Sequence, residues 1–176
     1  MKQSRLTKKQ ILQLFAALNE ELQKDGARGE LYLVGGAVMC LVYDARASTR
    51  DVDAWFKPGK AIRAAAARVG LQQGVDAHWL NDGVKGYLSD QGEYAPFLSL
   101  SHLNVMTAQP EYLLAMKCLS MRIGEEFHDL DDIRYLLRYL NIDTYQTAID
   151  IISRYYPLAQ FPQKTLYALE ELCLGE

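Results

Sequence analysis

The sequence predicts an α/β fold of the α+β kind, built in two parts. Three observations carry this reading. Helical and strand periodicities alternate up to about residue 107, whereas everything after residue 109 reads as helix. A short apolar run at 31–34 ends in Gly35-Gly36, and a second strand, at 52–56, opens on Asp51-Val52-Asp53. A chain of 176 residues suits one core with a helical appendage. Residues 1–108 are therefore expected to form the α/β core, and 109–176 a C-terminal helical bundle packed on it as one compact unit.

Thr7 and Gln10 form a capping box that opens the first helix. Ile11, Leu12, Phe15, Leu18 and Leu22 follow at helical spacing, and Asp25-Gly26 ends it. Residues 31–34 read as a short buried strand, 37–43 as a short apolar helix, and 52–56 as the second strand. Lys57-Pro58-Gly59 is a turn before an alanine-rich helix at 61–69. Residues 74–96, rich in glycine and aromatic residues, are expected to be loop with one short helix near Trp79. Residues 97–107 alternate in part and read as one strand. Pro110 sits at a first helical turn and opens a helix through Arg122. A helix over 129–139 has an apolar stripe at Leu130, Ile133, Leu137 and Leu140. A further helix, capped by Asp143 or Thr144, ends before Pro157, and Pro162 opens the last, where Leu166, Leu169 and Leu172 share a face.

Composition narrows the function classes. Apolar types make up 49% and charged types 23% of the chain, as in an ordinary globular protein. The net charge of -3 provides no global basic field for nucleic acid, and the basic N-terminus (Lys2, Arg5, Lys8, Lys9) is explained as well by solubility as by binding. Cys40, Cys118 and Cys173 lie in apolar helical contexts without C-x-x-C spacing, so they read as small core residues in a reducing compartment. His78, His102 and His128 lack metal-ligand spacing. No apolar run is long enough to span a membrane and no signal-peptide core is present, so a cytoplasmic protein is expected.

The chemistry centres on Asp51 and Asp53. A strand repeats every two residues, so both carboxylates share one face. Two carboxylates on a rigid strand can hold a hard divalent cation such as magnesium; solvated carboxylates at a strand start are the competing reading. Gly35 and Gly36 stand at a strand-to-helix junction, where backbone N–H groups can receive phosphate, although a tight turn would use the same pair. Ser48, Thr49, Arg50 and Arg46 lie close in sequence to the carboxylates and offer hydroxyl and guanidinium groups to phosphate oxygens, or to solvent. Lys117 sits among apolar neighbours; either its stem snorkels to water or its ammonium meets a triphosphate. Asp129 and Asp132 share a helix face, and either serve a site or complement the helix dipole.

These residues resemble the nucleotidyltransferase superfamily, in which a glycine pair precedes an Asp-x-Asp strand. More closely, the chain resembles small bacterial nucleotidyltransferase-like proteins related to AbiEii-type toxins of toxin–antitoxin and phage-defence systems, over most of its length. Gly35-Gly36 with Ser48-Thr-Arg-Asp-Val-Asp53 is similar to the first motif, Lys117 with Arg122 to the lysine motif, and Asp129-Leu-Asp-Asp132 to the last. The resemblance implies a small mixed sheet flanked by helices, Mg2+, and an NTP as donor substrate. It implies metal on Asp51 and Asp53, nucleotide contacts at Gly35, Gly36, Ser48, Thr49, Arg50 and Asp132, charge neutralisation on the triphosphate by Lys117, and an acceptor oriented or deprotonated by Asp129. A third carboxylate, which many superfamily members carry on a later strand, is missing from 97–107; Asn104 is the nearest polar residue.

The acceptor implied is tRNA or another RNA, and a cognate antitoxin protein is an implied partner. Two alternatives stand beside this. Small antibiotic nucleotidyltransferases have a similar Gly-Gly, Thr-Arg and Asp-x-Asp arrangement, and Trp55, Trp79, Tyr87 and Tyr94 are candidates to line a pocket for a drug-sized acceptor. A catalytically inactive, nucleotide-binding regulatory module would suit the missing third acid.

Overall fold

The computed structural model describes residues 5–121 and 128–175. It is mixed α/β, as expected, with a five-stranded mixed sheet, a two-stranded sheet and seven α-helices among the described residues. The chain forms two compact units. The first comprises Met1–Gly86 and Tyr94–Ala108; the second comprises Tyr87–Glu93 and Gln109–Glu176.

In the first unit, β1 (Leu6–Thr7) leads into α1 (Lys8–Lys24), whose capping box is formed as predicted, with Thr7 accepting from the Gln10 N–H and Gln10 from the Thr7 N–H. Then come β2 (Gly29–Val34), α2 (Gly36–Leu41), β3 (Ser48–Thr49), β4 (Val52–Lys57), α3 (Gly59–Gln73), β5 (Leu80–Asn81), β6 (Tyr94–Ser99) and β7 (Leu103–Ala108). The large sheet has the order β5-β4-β2-β7-β6; β4 and β6 run antiparallel to their neighbours β2 and β7, while β2–β7 and β4–β5 are parallel. Strand alternation divides its faces. Leu31, Leu33, Val52, Ala54, Phe56 and Val105 are buried, with α1 and α3 packed on each other and against the sheet. The other face carries Asp53, Trp55 and Lys57 on β4, and Glu30, Tyr32 and Val34 opposite them on β2.

Two expectations about this unit are corrected. Residues 97–107 are a hairpin rather than one strand, because the chain turns at Leu100, where the N–H donates to Leu103 O at 2.8 Å. No helix forms near Trp79; a short 3₁₀ segment lies at Gly83–Tyr87 instead. Trp79 is 1% exposed, touches Phe15 and donates its indole N–H to Ala66 O at 2.8 Å. It is a core residue.

In the second unit, α4 (Pro110–Leu119), α5 (Asp129–Tyr139), α6 (Tyr145–Ile152) and α7 (Gln163–Leu174) form a helical cluster, with α4 packed on α5, α6 and α7. Residues Tyr112 to Cys118 of α4 are all buried, as expected of a helix that is apolar around most of its circumference. Arg122 lies outside the described residues. The buried stripe of α5 is Asp129, Asp132, Ile133, Leu136 and Leu137, while Leu130 is 40% exposed. The helix is thus rotated from its expected apolar stripe, because two aspartates turn inward toward a buried cation. Among the described residues no helix is long and apolar enough to cross a membrane. Cys40 and Cys118 are buried, and burial pushes the Cys118 thiol up to about 12.

Candidate active site

The carboxylate pair occupies the start of β4. Asp51 directly precedes the strand, Asp53 is its second residue, and both are half-buried with the fully buried Val52 between them. Val34, the last residue of β2, pairs with Asp53, so Gly35 emerges beside the Asp53 carboxylate. Gly35 has φ 71 and ψ -152, a conformation in which a side chain is strained. A Cβ on it would also stand 3.1 Å from Asp53 Oδ2. The backbone thus favours glycine at this position, and a Cβ would in addition press on the carboxylate.

Gly36 is crowded in a different way. A Cβ there would come within 2.6 Å of Arg46 Nη1 and 3.0 Å of Thr49 Oγ1. The space at the glycine pair is thus filled by the chain's own guanidinium, hydroxyl and carboxylate. Arg46 brings a positive charge to the helix start where phosphate was expected. Thr49 is buried and its hydroxyl donates to Asp51 O at 3.3 Å, while Arg50 is exposed.

Ser48 is held by the start of the chain. Leu6 and Thr7 pair antiparallel with Thr49 and Ser48. Arg5 donates Nε to Ser48 Oγ at 2.9 Å and Nη2 to Ser48 O at 3.0 Å. The segment leading to the carboxylates is therefore a bound strand rather than an open loop. This pairing was illegible in the sequence, since two-residue strands leave no periodic signal.

Asn81 was also missed. Its strand β5 pairs in parallel with the beginning of β4, opposite Asp53, and its amide stands 3.5 Å from Asp51 Oδ2, a long contact. On β7 no carboxylate stands beside the pair. Thr107 pairs with Leu33, one residue before the Val34–Asp53 pair, so the β7 residue next in line is Ala108. Asn104 does share the open face, but at the opposite end of β7, where it accepts from Ser99 Oγ at 2.8 Å. Among the described residues no group of three or more His, Cys, Asp or Glu side chains is placed to hold a metal ion. The two half-buried carboxylates still fit magnesium, which is commonly held by one or two carboxylates with substrate phosphates completing its shell.

Lys117, Asp129 and Asp132 come together within the second unit. The Lys117 ammonium donates to Asp129 Oδ1 at 3.2 Å and lies 2.8 Å from Asp132 Oδ2. The three side chains are 8%, 4% and 3% exposed. A buried lysine is tolerated when it is paired, and this one is bracketed by two carboxylates on the first turn of α5. Of the two readings of Lys117, snorkelling to solvent does not occur.

No family model matches the chain, and no curated protein or solved structure does either.

Proposed function

We propose that this chain is a magnesium-dependent nucleotidyltransferase that moves an NMP unit from an NTP to an acceptor hydroxyl. The observation that carries the reading is the carboxylate pair on one strand face, set against a glycine whose missing Cβ makes room for Asp53. Asp51 and Asp53 would hold the metal; when bound, it neutralises charge on the triphosphate and leaving group. Arg46, Arg50 and the backbone at Gly36 would meet phosphate oxygens. In the transfer the acceptor oxygen bonds to the α-phosphorus, the bond from that phosphorus to the β-bridging oxygen breaks, and pyrophosphate leaves with the electron pair. The acceptor proton passes to a base or to solvent.

Lys117, Asp129 and Asp132 enter this reading as the internal support of the helical unit, since the ammonium is already compensated twice. RNA, including a tRNA end, is the first acceptor class to test, in keeping with a toxin-like or phage-defence role and a cognate antitoxin partner. A second reading, an NTP-binding module without transfer, is favoured by the apolar Ala108 where a third acid would stand.

The test is incubation with each α-labelled NTP, magnesium and total bacterial RNA, beside Asp51→Asn/Asp53→Asn, with calorimetry of magnesium-NTP binding. Label entering RNA with the wild-type chain alone supports transfer to RNA. Label entering a drug panel instead points to a small-molecule acceptor. Binding without label indicates the module. Unchanged magnesium-NTP affinity in folded Asp53→Asn overturns the site assignment.

A further inference from the structure

The open face of the large sheet continues away from the carboxylates. Successive residues on the same side of β4 are Asp53, Trp55 and Lys57, and four residues of strand span about 13 Å. Trp55 lies opposite Tyr32 and stacks on it, with centroids 4.0 Å apart and planes 4° from parallel. Tyr94 closes the stack edge-on, 5.1 Å from Tyr32, and accepts the Trp55 indole N–H at 3.2 Å. All three rings are half-buried. Because β5 pairs only with Val52 and Asp53, β4 is an edge strand at Trp55 and the indole stands at the outer end of the stack.

Lys57 joins this stack to a cavity. Its ammonium lies 5.9 Å from the Tyr32 ring centroid and 5.8 Å from that of Trp55, and 3.2 Å from Glu30 Oε2. The cavity, of about 680 Å³, is lined by Arg28, Lys57, Ser99, Ser101, His102 and Asn104, with Glu30 as its one carboxylate. Glu30 is spoken for: it takes the Tyr32 hydroxyl at 2.7 Å as well as Lys57, and these partners hold its carboxyl below the usual range. Arg28 is exposed and makes no ion pair among the described residues. The wall therefore carries an excess of positive charge and several hydrogen-bond donors.

This wall is built rather than loose. Asn19 on α1 accepts the His102 N–H at 2.7 Å and donates to Ser101 Oγ at 3.2 Å, while Gly29 N–H donates to His102 O at 2.9 Å. Ser101 Oγ, an acceptor from Asn19, also lies within hydrogen-bond distance of His102 Nδ1, at 2.9 Å. A wall of net positive charge, its hairpin end held in place, beside a stacked indole matches an anion joined to a flat ring.

We propose that this end of the sheet binds a nucleoside monophosphate unit, its phosphate in the Arg28–His102 cavity and its base on the Trp55–Tyr32 stack. The unit is either a free nucleotide or an element of a single-stranded nucleic acid. The site is separate from the carboxylates and needs neither magnesium nor a triphosphate.

The chain supplies its own reporter. Of its two tryptophans, Trp79 is buried and Trp55 half-buried, so Trp79→Phe leaves Trp55 as the only indole. The full-length Trp79→Phe protein is titrated in EDTA with AMP, and in parallel with a 5′-phosphorylated single-stranded oligoadenylate. The expected result is saturable quenching, weakened about tenfold or more by Arg28→Gln/His102→Gln, which removes the Arg28 charge and the imidazole, and unchanged by Asp51→Asn/Asp53→Asn. Quenching by AMP as tight as by the oligomer identifies a free nucleotide; a much tighter oligomer identifies a strand. No saturable quenching by either probe overturns the proposal, as does equal quenching in the Arg28/His102 variant. Loss in the Asp51/Asp53 variant overturns it too, by placing the ligand at the carboxylates. If instead the carboxylate variant binds AMP normally while wild type shows no magnesium-NTP binding, the transfer reading fails and this site stands.

Discussion

Replacing Lys117 by methionine tests whether its ammonium serves a ligand or the fold. Methionine keeps most of the buried stem and deletes the charge, leaving Asp129 and Asp132, 4% and 3% exposed, without their shared cation. At separations of 3.2 and 2.8 Å the gross attraction is about 5–6 kcal/mol per contact for an effective dielectric near 20. Much of that is offset by desolvation, and orphaning a buried partner costs about 3–5 kcal/mol net. This is a large share of a typical stability of roughly 5–15 kcal/mol. Urea unfolding of Lys117→Met should therefore show a midpoint displaced far downward, and neutralising both acids in Lys117→Met/Asp129→Asn/Asp132→Asn should recover most of it. A Lys117→Met midpoint within experimental error of wild type, together with a selective loss of triphosphate over monophosphate affinity, would refute the structural assignment and restore Lys117 as a phosphate ligand.

Gly35→Ala should cost about 1–3 kcal/mol from its backbone conformation alone, and should weaken magnesium-NTP binding as well, because the new Cβ would press on Asp53 Oδ2; normal stability and affinity together would remove the argument for glycine there. Glu21 is expected to shape the acid limb of stability. Hydrogen bonds from Gln72 and Arg68, aided by Lys24, lower its carboxyl from 4.5 to about 2 against the opposing effect of burial. A carboxyl lowered on folding stabilises fully above its unfolded value, and that contribution is lost as the pH falls from about 4.5 toward 2. Glu21→Gln should flatten stability across this window in acid titrations, and an unchanged slope would show that other groups set it.

Much of the fold was legible because its signals are local. The Thr7–Gln10 capping box, Pro110 at a helix start and the helix over 129–139 follow from side chains acting within one turn of backbone. The shared face of Asp51 and Asp53 follows from strand periodicity. What escaped depends on residues distant in sequence. Nothing near Ser48 announces that Arg5 and Leu6 will pair with its segment, and the β6–β7 turn at Leu100 and Ser101 lacks the glycine or proline that usually marks one. Trp79 read as a pocket residue because a tryptophan in a glycine-rich stretch carries no sign of its burial. At the site, each member of the Lys117–Asp129–Asp132 cluster was singled out, but their mutual compensation is a product of α4 packing on α5. The same holds for Gly36, whose crowding by Arg46 requires the intervening chain to return.

The composition of the second unit bears on how this gene could be cut and recombined. The helices after residue 108 are completed by a loan from upstream: Ser89 N–H donates to the Tyr112 hydroxyl at 3.0 Å, Ser89 Oγ to Tyr155 O, Tyr156 to Tyr87 O, and Gln109 N–H to Glu93 O at 2.9 Å. The polypeptide passes from one unit to the other three times, so a single junction at 108/109 would separate the helices from a segment they hold through both backbone and side chains. The helical part is thus no portable cassette. Shuffling or fragment expression that respects the sequence boundary alone would deliver a bundle with Tyr112, Tyr155 and Tyr156 stripped of these partners.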